Sequence, residues 1–444
     1  MKNDPQKTDI DNTADNADVF KSREYRTSRR AYTLECMFEY FVALLVADAF
    51  IAKLLKYFGA SDALCGVISS FISLSFLFQI FSVLIMGRIR NTKRTAIIFH
   101  AAAQFLFSCL YLIPFLQVDN AARRAIFIVV ILLAYFGNYF VTSLIYKWGN
   151  SFVDPHKRAS FSSGKEMVSL FSSMVVSLAL GFAIDHLDAG GDMTRGFLLS
   201  SVCMFVFCAG DLICLLCIKN DKKAMESREK PPKLSEIMKN TMGNRNYVNT
   251  VILKCLWWGA IYTSLGFLGT YKQDELFYTL GQIQIINIIG CGARFAVSKL
   301  FGKFSDRFGF IRGIQLALCI LATGFAVNIF TAPNTRWLII VFVLLYNISQ
   351  AGTYQNMINI TYAFVDVKYF VQAAALKDCI AGVFGFLCAL ASGKLLAAIQ
   401  ASGNTFLGIP VYAQQVQSAI SLLFVIAAFL FAQFSLSHKR TMLQ

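Results

Sequence analysis

Residues 126–146 read IFIVVILLAYFGNYFVTSLIY, a run without one charged side chain. A helix needs about 20 apolar residues to cross a ~30 Å hydrocarbon layer, and this run supplies them. The rest of the chain repeats the pattern. Apolar blocks fall near 33–57, 63–86, 95–116, 124–146, 165–186, 196–218, 247–270, 277–299, 311–331, 336–358, 377–400 and 412–436. A bilayer core offers the backbone no hydrogen bonds, so such blocks must satisfy their own peptide groups as helices. The alternating ten-residue segments of a membrane β-barrel are absent. The expected fold is all-α and integral to a membrane, with twelve transmembrane helices.

Composition agrees. Of 444 residues, 56% are hydrophobic and 15% charged, against roughly 25% charged in an ordinary soluble domain. Surface-to-volume scaling leaves a soluble chain of this size too little interior to hide that much apolar surface. The basic residues set orientation. With the N-terminus inside, cytoplasmic segments hold 31 of the 41 Lys and Arg, external segments hold 8, and Lys254 and Arg294 stay within helices. That asymmetry predicts cytoplasmic termini in the plasma membrane. The net charge of +15 is explained by topology and anionic headgroups, with no nucleic acid needed.

Residues 1–30 are expected to form a disordered cytoplasmic tail, and 437–444 a second tail. No cleavable signal precedes the first helix. All twelve Cys lie in or beside apolar blocks. Cys214 and Cys217 form a CxxC without a basic or His partner, so they read as small apolar side chains. His100, His156, His186 and His438 are scattered and form no ligand set. No metal or cofactor is expected. Without a Ser–His pairing or an HExxH, neither is an enzyme.

The two halves repeat each other. At an offset of 215, Gly66 falls on Gly281, Gly87-Arg88 on Gly302-Lys303, and Gln79 on Arg294. At 212, Phe152-Val153-Asp154 matches Phe364-Val365-Asp366, Lys165-Glu166 matches Lys377-Asp378, and Asn138 matches Gln350. Six-helix halves at 31–218 and 246–436 follow, joined by a charged cytoplasmic linker at 219–245. An even helix count per half puts their pseudo-symmetry axis along the membrane normal.

The stretch Gly302-Lys303-Phe304-Ser305-Asp306-Arg307-Phe308-Gly309-Phe310-Ile311-Arg312 resembles the loop between helices 8 and 9 of the major facilitator superfamily. Gly87-Arg88-Ile89-Arg90-Asn91-Thr92-Lys93-Arg94 resembles a degraded first-half copy, with Asn91 in place of the acid. Asp154-Pro155-His156-Lys157-Arg158 through Gly164 is similar to another cytoplasmic turn of that family. The resemblance covers about 31–436. It implies a six-plus-six bundle that rocks around a central cavity and moves a small solute, with H+ as the candidate coupling ion. In this motif Gly302 and Gly309 would allow sharp turns and close packing. Asp306 would sit near the N-terminus of helix 5, where a helix dipole favours an anion. An inner gate of Asp306 with Lys165 follows, Arg307 and the second-half Lys377 belonging to the same set. The alternative is that these charges only anchor loops. A monomer is expected.

Ionisable residues within the bilayer are costly and mark pathways. Helix 1 carries Glu35, Glu39 and Asp48, helix 7 Lys254 and helix 8 Arg294. Glu35, one turn from the cytoplasmic end, reads as interfacial. Asp48 reads as cavity or outer mouth, and Arg294 as substrate contact or a snorkelling cation. Gln79, Asn138, Trp257 and Gln350 belong to a set of amides and aromatics expected to face the bundle interior. Such a cavity suits a polar solute with a ring to stack on. Glu39 and Lys254 are related by the 215 offset, which predicts an acid–base pair across the halves; separate pairings within each half are the alternative. Helix 5 (VSLFSSMVVSLALGFAIDH) has no Pro and helix 4 no interior basic residue, unlike proton-linked drug exporters of the family. Uptake of a sugar, glycoside or organic ion is therefore expected, with efflux and a non-transporting sensor as alternatives.

Overall fold

The computed structural model describes residues 20, 22–85, 91–154, 157–219, 234–365 and 369–436. The expected tails at 1–19 and 437–444, most of the linker 219–245, Gly87, Arg88, His156 and Asp366 lie outside the described residues.

The first helix begins earlier than its apolar block. Ser22 caps α1 (Arg23–Leu45) by accepting from the Tyr25 amide, so residues 23–30 are helix rather than tail. A cap of this kind satisfies an orphan amide and fixes the helix start. α1 stops at Val46-Ala47, and α2 (Asp48–Tyr57) continues the block. Asp48 has φ 45°, a left-handed conformation that Asp tolerates better than most side chains. The Leu45 carbonyl freed there accepts from the Tyr111 hydroxyl at 2.7 Å. The second block is likewise split into α3 (Asp62–Ser69) and α4 (Phe71–Ile85).

The first half continues with α5 (Thr92–Cys109), α6 (Asn120–Asn150), α7 (Arg158–Ala189) and α8 (Met193–Cys217). Asn91 and Asp119 cap α5 and α6. Within the expected linker lies a short helix, α9 (Leu234–Met242). The second half comprises α10 (Arg245–Ser264), α11 (Leu280–Phe308), α12 (Phe310–Asn328), α13 (Leu338–Phe364), α14 (Phe370–Ala401) and α15 (Ala413–Phe431). α10 runs on through tighter and wider turns to Glu275. One departure from all-α structure is a two-residue antiparallel ladder, Thr405–Phe406 against Ile409–Pro410, between α14 and α15.

Eleven segments of the described residues are long and apolar enough to cross a membrane. α1 with α2 supplies the twelfth expected span. It is interrupted at Val46-Ala47, as the second span is at Ser70. Each half has its own core. Phe50, Ile51, Phe58 and Phe127 anchor the first; Trp257, Leu318, Phe325 and Phe342 anchor the second.

Across the divide, α14 lies along α3 and α4, and α11 lies along α7. The repeat-related glycines also sit at contacts between the halves, Gly66 against the continuation of α10 and Gly281 against α7. A Cβ at Gly66 would come within 2.0 Å of the Phe267 ring, and one at Gly281 within 2.7 Å of Phe182. The shared glycine of the two halves is thus a close-packing device, since only a residue without a side chain fits there.

Candidate functional site

Midway along the divide, residues from both halves form an aromatic seam with charges beside it. Phe76 packs on Tyr139 at 5.1 Å and on Trp258 of the other half at 4.8 Å. Trp257 meets Tyr354 edge-on at 5.0 Å. Lys254 Nζ lies 4.4 Å from the Trp258 ring centre and 5.4 Å from that of Trp257. A cation over an aromatic face is stabilised by the ring quadrupole.

Lys254 does not meet Glu39. Its ammonium pairs with Asp378 Oδ1 at 3.0 Å, on α14 of its own half. Glu39 accepts from Asn138 Nδ2 at 3.2 Å, on α6 of its own half. The predicted cross-half pair is corrected to two separate pairings. Equal depth about a symmetry axis does not bring two side chains within reach when a neighbouring helix already offers a partner.

The other pathway candidates spread over this region. Gln79 donates to Ser143 at 3.2 Å. Gln350 is 2% exposed, and its amide nitrogen and oxygen both lack a hydrogen-bond partner among the described residues, as does the Trp257 indole nitrogen. Buried groups of this kind cost free energy unless something satisfies them. Arg294 approaches Glu166 of the other half at 3.8 Å and lies over the Tyr354 ring at 5.8 Å.

The two ends of the divide differ. The near end is the one where α1 begins and α15 finishes; at the opposite, far end the halves are hydrogen-bonded to each other. There Lys272 bonds Asp48 at 2.6 Å, Gln273 donates to the Ala49 carbonyl at 3.0 Å, and Gln400 donates to Asp62 at 2.5 Å. The amides of Leu280 and Gly281 donate to the Asp185 carboxylate at 2.9 and 2.7 Å. That places a carboxylate at a helix N-terminus, where the dipole favours it. Lys56 bridges Asp62 and Asp274. Asp48 is therefore a far-end contact between the halves. Its partner Lys272 falls between two apolar blocks and reads from sequence as an external-loop cation, yet it is buried.

The near-end motif has a different geometry from the one expected. Gly302 lies inside α11, where a Cβ would meet no other atom within 4 Å, and Gly309 alone makes the turn, at φ 91°. Asp306 and Arg307 are exposed in the last turn of α11. Asp306 has no ion pair with any described residue, Lys165 included. Lys165 instead donates to Tyr32 Oη at 3.2 Å and contacts Cys36 Sγ at 3.0 Å. Lys377 is buried and donates to Thr361 at 2.7 Å. Asn91, the first-half substitute for the acid, caps α5. The Asp306–Lys165 bridge is thus not formed in this arrangement of the halves.

One cluster contradicts the reading of His100 and Glu35. Glu35 is not interfacial: it is 1% exposed inside the first half, with His100 1% and Asp211 0%. His100 Nε2 stands 2.9 Å from Asp211 Oδ2 and 4.0 Å from Glu35 Oε1. Asp211, within the apolar run of α8, carries the same sequence signal as Glu39, an acid inside a span.

The Major Facilitator Superfamily model matches residues 36–393. No curated protein sequence matches the chain. Among solved structures, a point mutant of the nucleoside transporter NupG superposes with a TM-score of 0.69 at 12% identity, covering 91% of this chain and 99% of that one. A mutant peptide transporter POT in complex with alafosfalin gives 0.66 at 11% identity, covering 95% of each chain. An auto-inhibited POT-family peptide transporter gives 0.67 at 13% identity, covering 93% and 97%. These identities speak to fold alone. With the family model spanning most of its length, a two-half helical bundle and cross-half packing on repeat-related glycines, the chain belongs to the Major Facilitator Superfamily and is a multi-pass membrane transporter, not an enzyme.

Proposed function

We propose that the protein is a secondary active transporter that takes up a small polar solute across the plasma membrane by alternating access, coupled to H+. The near end is read as cytoplasmic from the excess of Lys and Arg in its loops. The bonded far end and the unengaged Asp306 then correspond to an inward-facing state. In the opposite state Asp306 would join the near ends of the halves.

The observation that carries the reading is the Lys254–Asp378 pair beside Trp257 and Trp258. It offers a solute a cation, a carboxylate and two ring faces in one place, and the buried Gln350 amide on α13 has no hydrogen-bond partner among the described residues. Such a set suits a solute with a planar ring and an anionic or hydroxyl-rich group, which includes glycosides and aromatic organic acids. Protonation of Asp378 releases the Lys254 ammonium to the solute, and loss of that proton restores the pair. One proton is thereby tied to one turnover.

A thermal-shift screen of metabolites identifies the ligand by mass action, and counterflow in proteoliposomes then measures exchange. Wild type is expected to exchange, and an inward proton gradient to speed uptake several-fold. Asp378→Asn is expected to abolish that stimulation while retaining counterflow, and Lys254→Met to lower both more than tenfold. A protein that binds ligand without exchange is a sensor, and the transport reading then fails. Stimulation by the gradient that persists in Asp378→Asn removes the proton role of this pair.

A further inference from the structure

Glu35 on α1, His100 on α5 and Asp211 on α8 meet inside the first half, away from the Lys254–Asp378 pair. Each offers one ligand atom, and the three atoms lie within 4.8 Å of one another. We infer that these three side chains form a binding site for one first-row transition-metal dication, such as Zn2+ or Co2+.

Charge balance motivates the site. Two carboxylates at 1% and 0% exposure have no Lys or Arg within ion-pairing distance among the described residues and share one imidazole, His100. A bare buried charge is costly, so it is paired or metal-bound. Lys165, a cation on the wall of the adjoining cavity, is held by Tyr32 and Cys36 instead. A dication would neutralise two carboxylates beside a neutral imidazole.

The donor set and the unsatisfied atoms point the same way. One imidazole nitrogen with two carboxylate oxygens suits Zn2+, Co2+ or Mn2+. Glu35 Oε1, on a side chain 1% exposed and turned towards His100 Nε2, has no hydrogen-bond partner among the described residues. Asp211 Oδ1 has none either, while Oδ2 is paired with His100 Nε2 at 2.9 Å. His100 Nε2 to Asp211 and to Glu35 measures 2.9 and 4.0 Å. Ligands about 2.0–2.1 Å from a tetrahedral ion sit roughly 3.3 Å apart, so small side-chain shifts suffice. A cavity of about 160 Å³ is lined by Glu35 and His100, along with Glu39, Tyr146 and Lys165. It gives the ion a way in and leaves room for a water as fourth ligand.

The second half lacks the site. At the 215 offset Glu35 and His100 fall on Thr250 and Gln315, and at the 212 offset of the later helices Asp211 falls on Leu423. The six-helix scaffold therefore does not require two buried acids and an imidazole there. An ion held on α1, α5 and α8 would lock three helices of the first half together, apart from any role in solute binding.

The test is equilibrium binding of Co2+ and Zn2+ to tag-free, chelator-treated full-length protein in detergent. One Co2+ per chain with visible d–d bands is expected, along with a rise in melting temperature that Mg2+ at the same concentration does not give. His100→Gln, Glu35→Gln and Asp211→Asn should each weaken binding at least tenfold. X-ray absorption of the Zn2+-loaded wild type should show imidazole and oxygen donors without sulfur, which needs no variant to fold. Absence of stoichiometric binding overturns the inference. So does a sulfur-containing shell, or affinity unchanged in well-folded His100→Gln; the cluster would then be neutralised by protons alone.

Discussion

The far and near ends of the divide between the halves are built from similar residues yet behave oppositely. At the far end, Lys272 (5% exposed) meets Asp48 (33%), and Gly269 lets the two backbones touch: a Cβ there would stand 2.9 Å from the Asp48 carbonyl oxygen. At the near end, Asp306 is exposed with no ion-pair partner among the described residues, and Lys165 is occupied within its own half. The difference lies in desolvation and fit rather than in the number of charges. An ion pair shielded from water and flanked by close backbone packing can hold two halves; exposed charges on a helix end hold them only when the gap closes.

Breaking the far end should have the largest effect. Losing one partner of a buried pair costs about 3–5 kcal/mol. Asp48 keeps part of its hydration, so Lys272→Ala is expected to cost the closed far end about 2 kcal/mol, roughly a thirtyfold shift between states. Accessibility of far-end positions to a membrane-impermeant label should rise accordingly. Gly269→Ala presses a methyl on the Asp48 carbonyl and should cost about 1 kcal/mol in the same direction, visible as a smaller rise in that labelling. Asp306→Asn should act the other way: it removes at most about 1 kcal/mol from the near-closed state, slows transport several-fold and lowers far-end labelling, because the far end opens only as the near end closes. Smallest is Lys53→Ala. Its exposed partner Asp188 lies in the same half, so stability should change by about 0.5 kcal/mol or less and the balance of states not at all.

Much of the fold was legible because lipid imposes a long apolar block for each span. The repeat glycines, Gly66 and Gly281, were legible as a coincidence of register; their contact with Phe267 and Phe182 emerges only in the folded chain. Partners were not legible. Spacing gives the depth of Glu39 and Lys254, but whether a side chain turns to the axis or to a neighbouring helix depends on rotation. Asn138 and Asp378 lie on adjacent helices and reached them first. Glu35 reads as interfacial because its apolar block starts at 33, but α1 begins at Arg23, which puts Glu35 about three turns into the helix and among buried neighbours. His100 and Asp211 lie 111 positions apart in the chain, and only packing of α5 against α8 joins them.

The central claim is that the two ends open and close reciprocally, with the Lys272–Asp48 contact holding the far end shut. Spin-label distances test it directly. With twelve native cysteines, labels are placed through unnatural amino acids at Asn120 and Asn334 for the far end, and at Lys147 and Lys303 for the near end. Wild type should give a narrow far-end distribution at its closed distance. In Lys272→Ala the far-end distance should lengthen while the near-end distance shortens in the same fraction of molecules. Far-end distances that stay at the wild-type value, or near-end distances that lengthen together with them, would contradict the account.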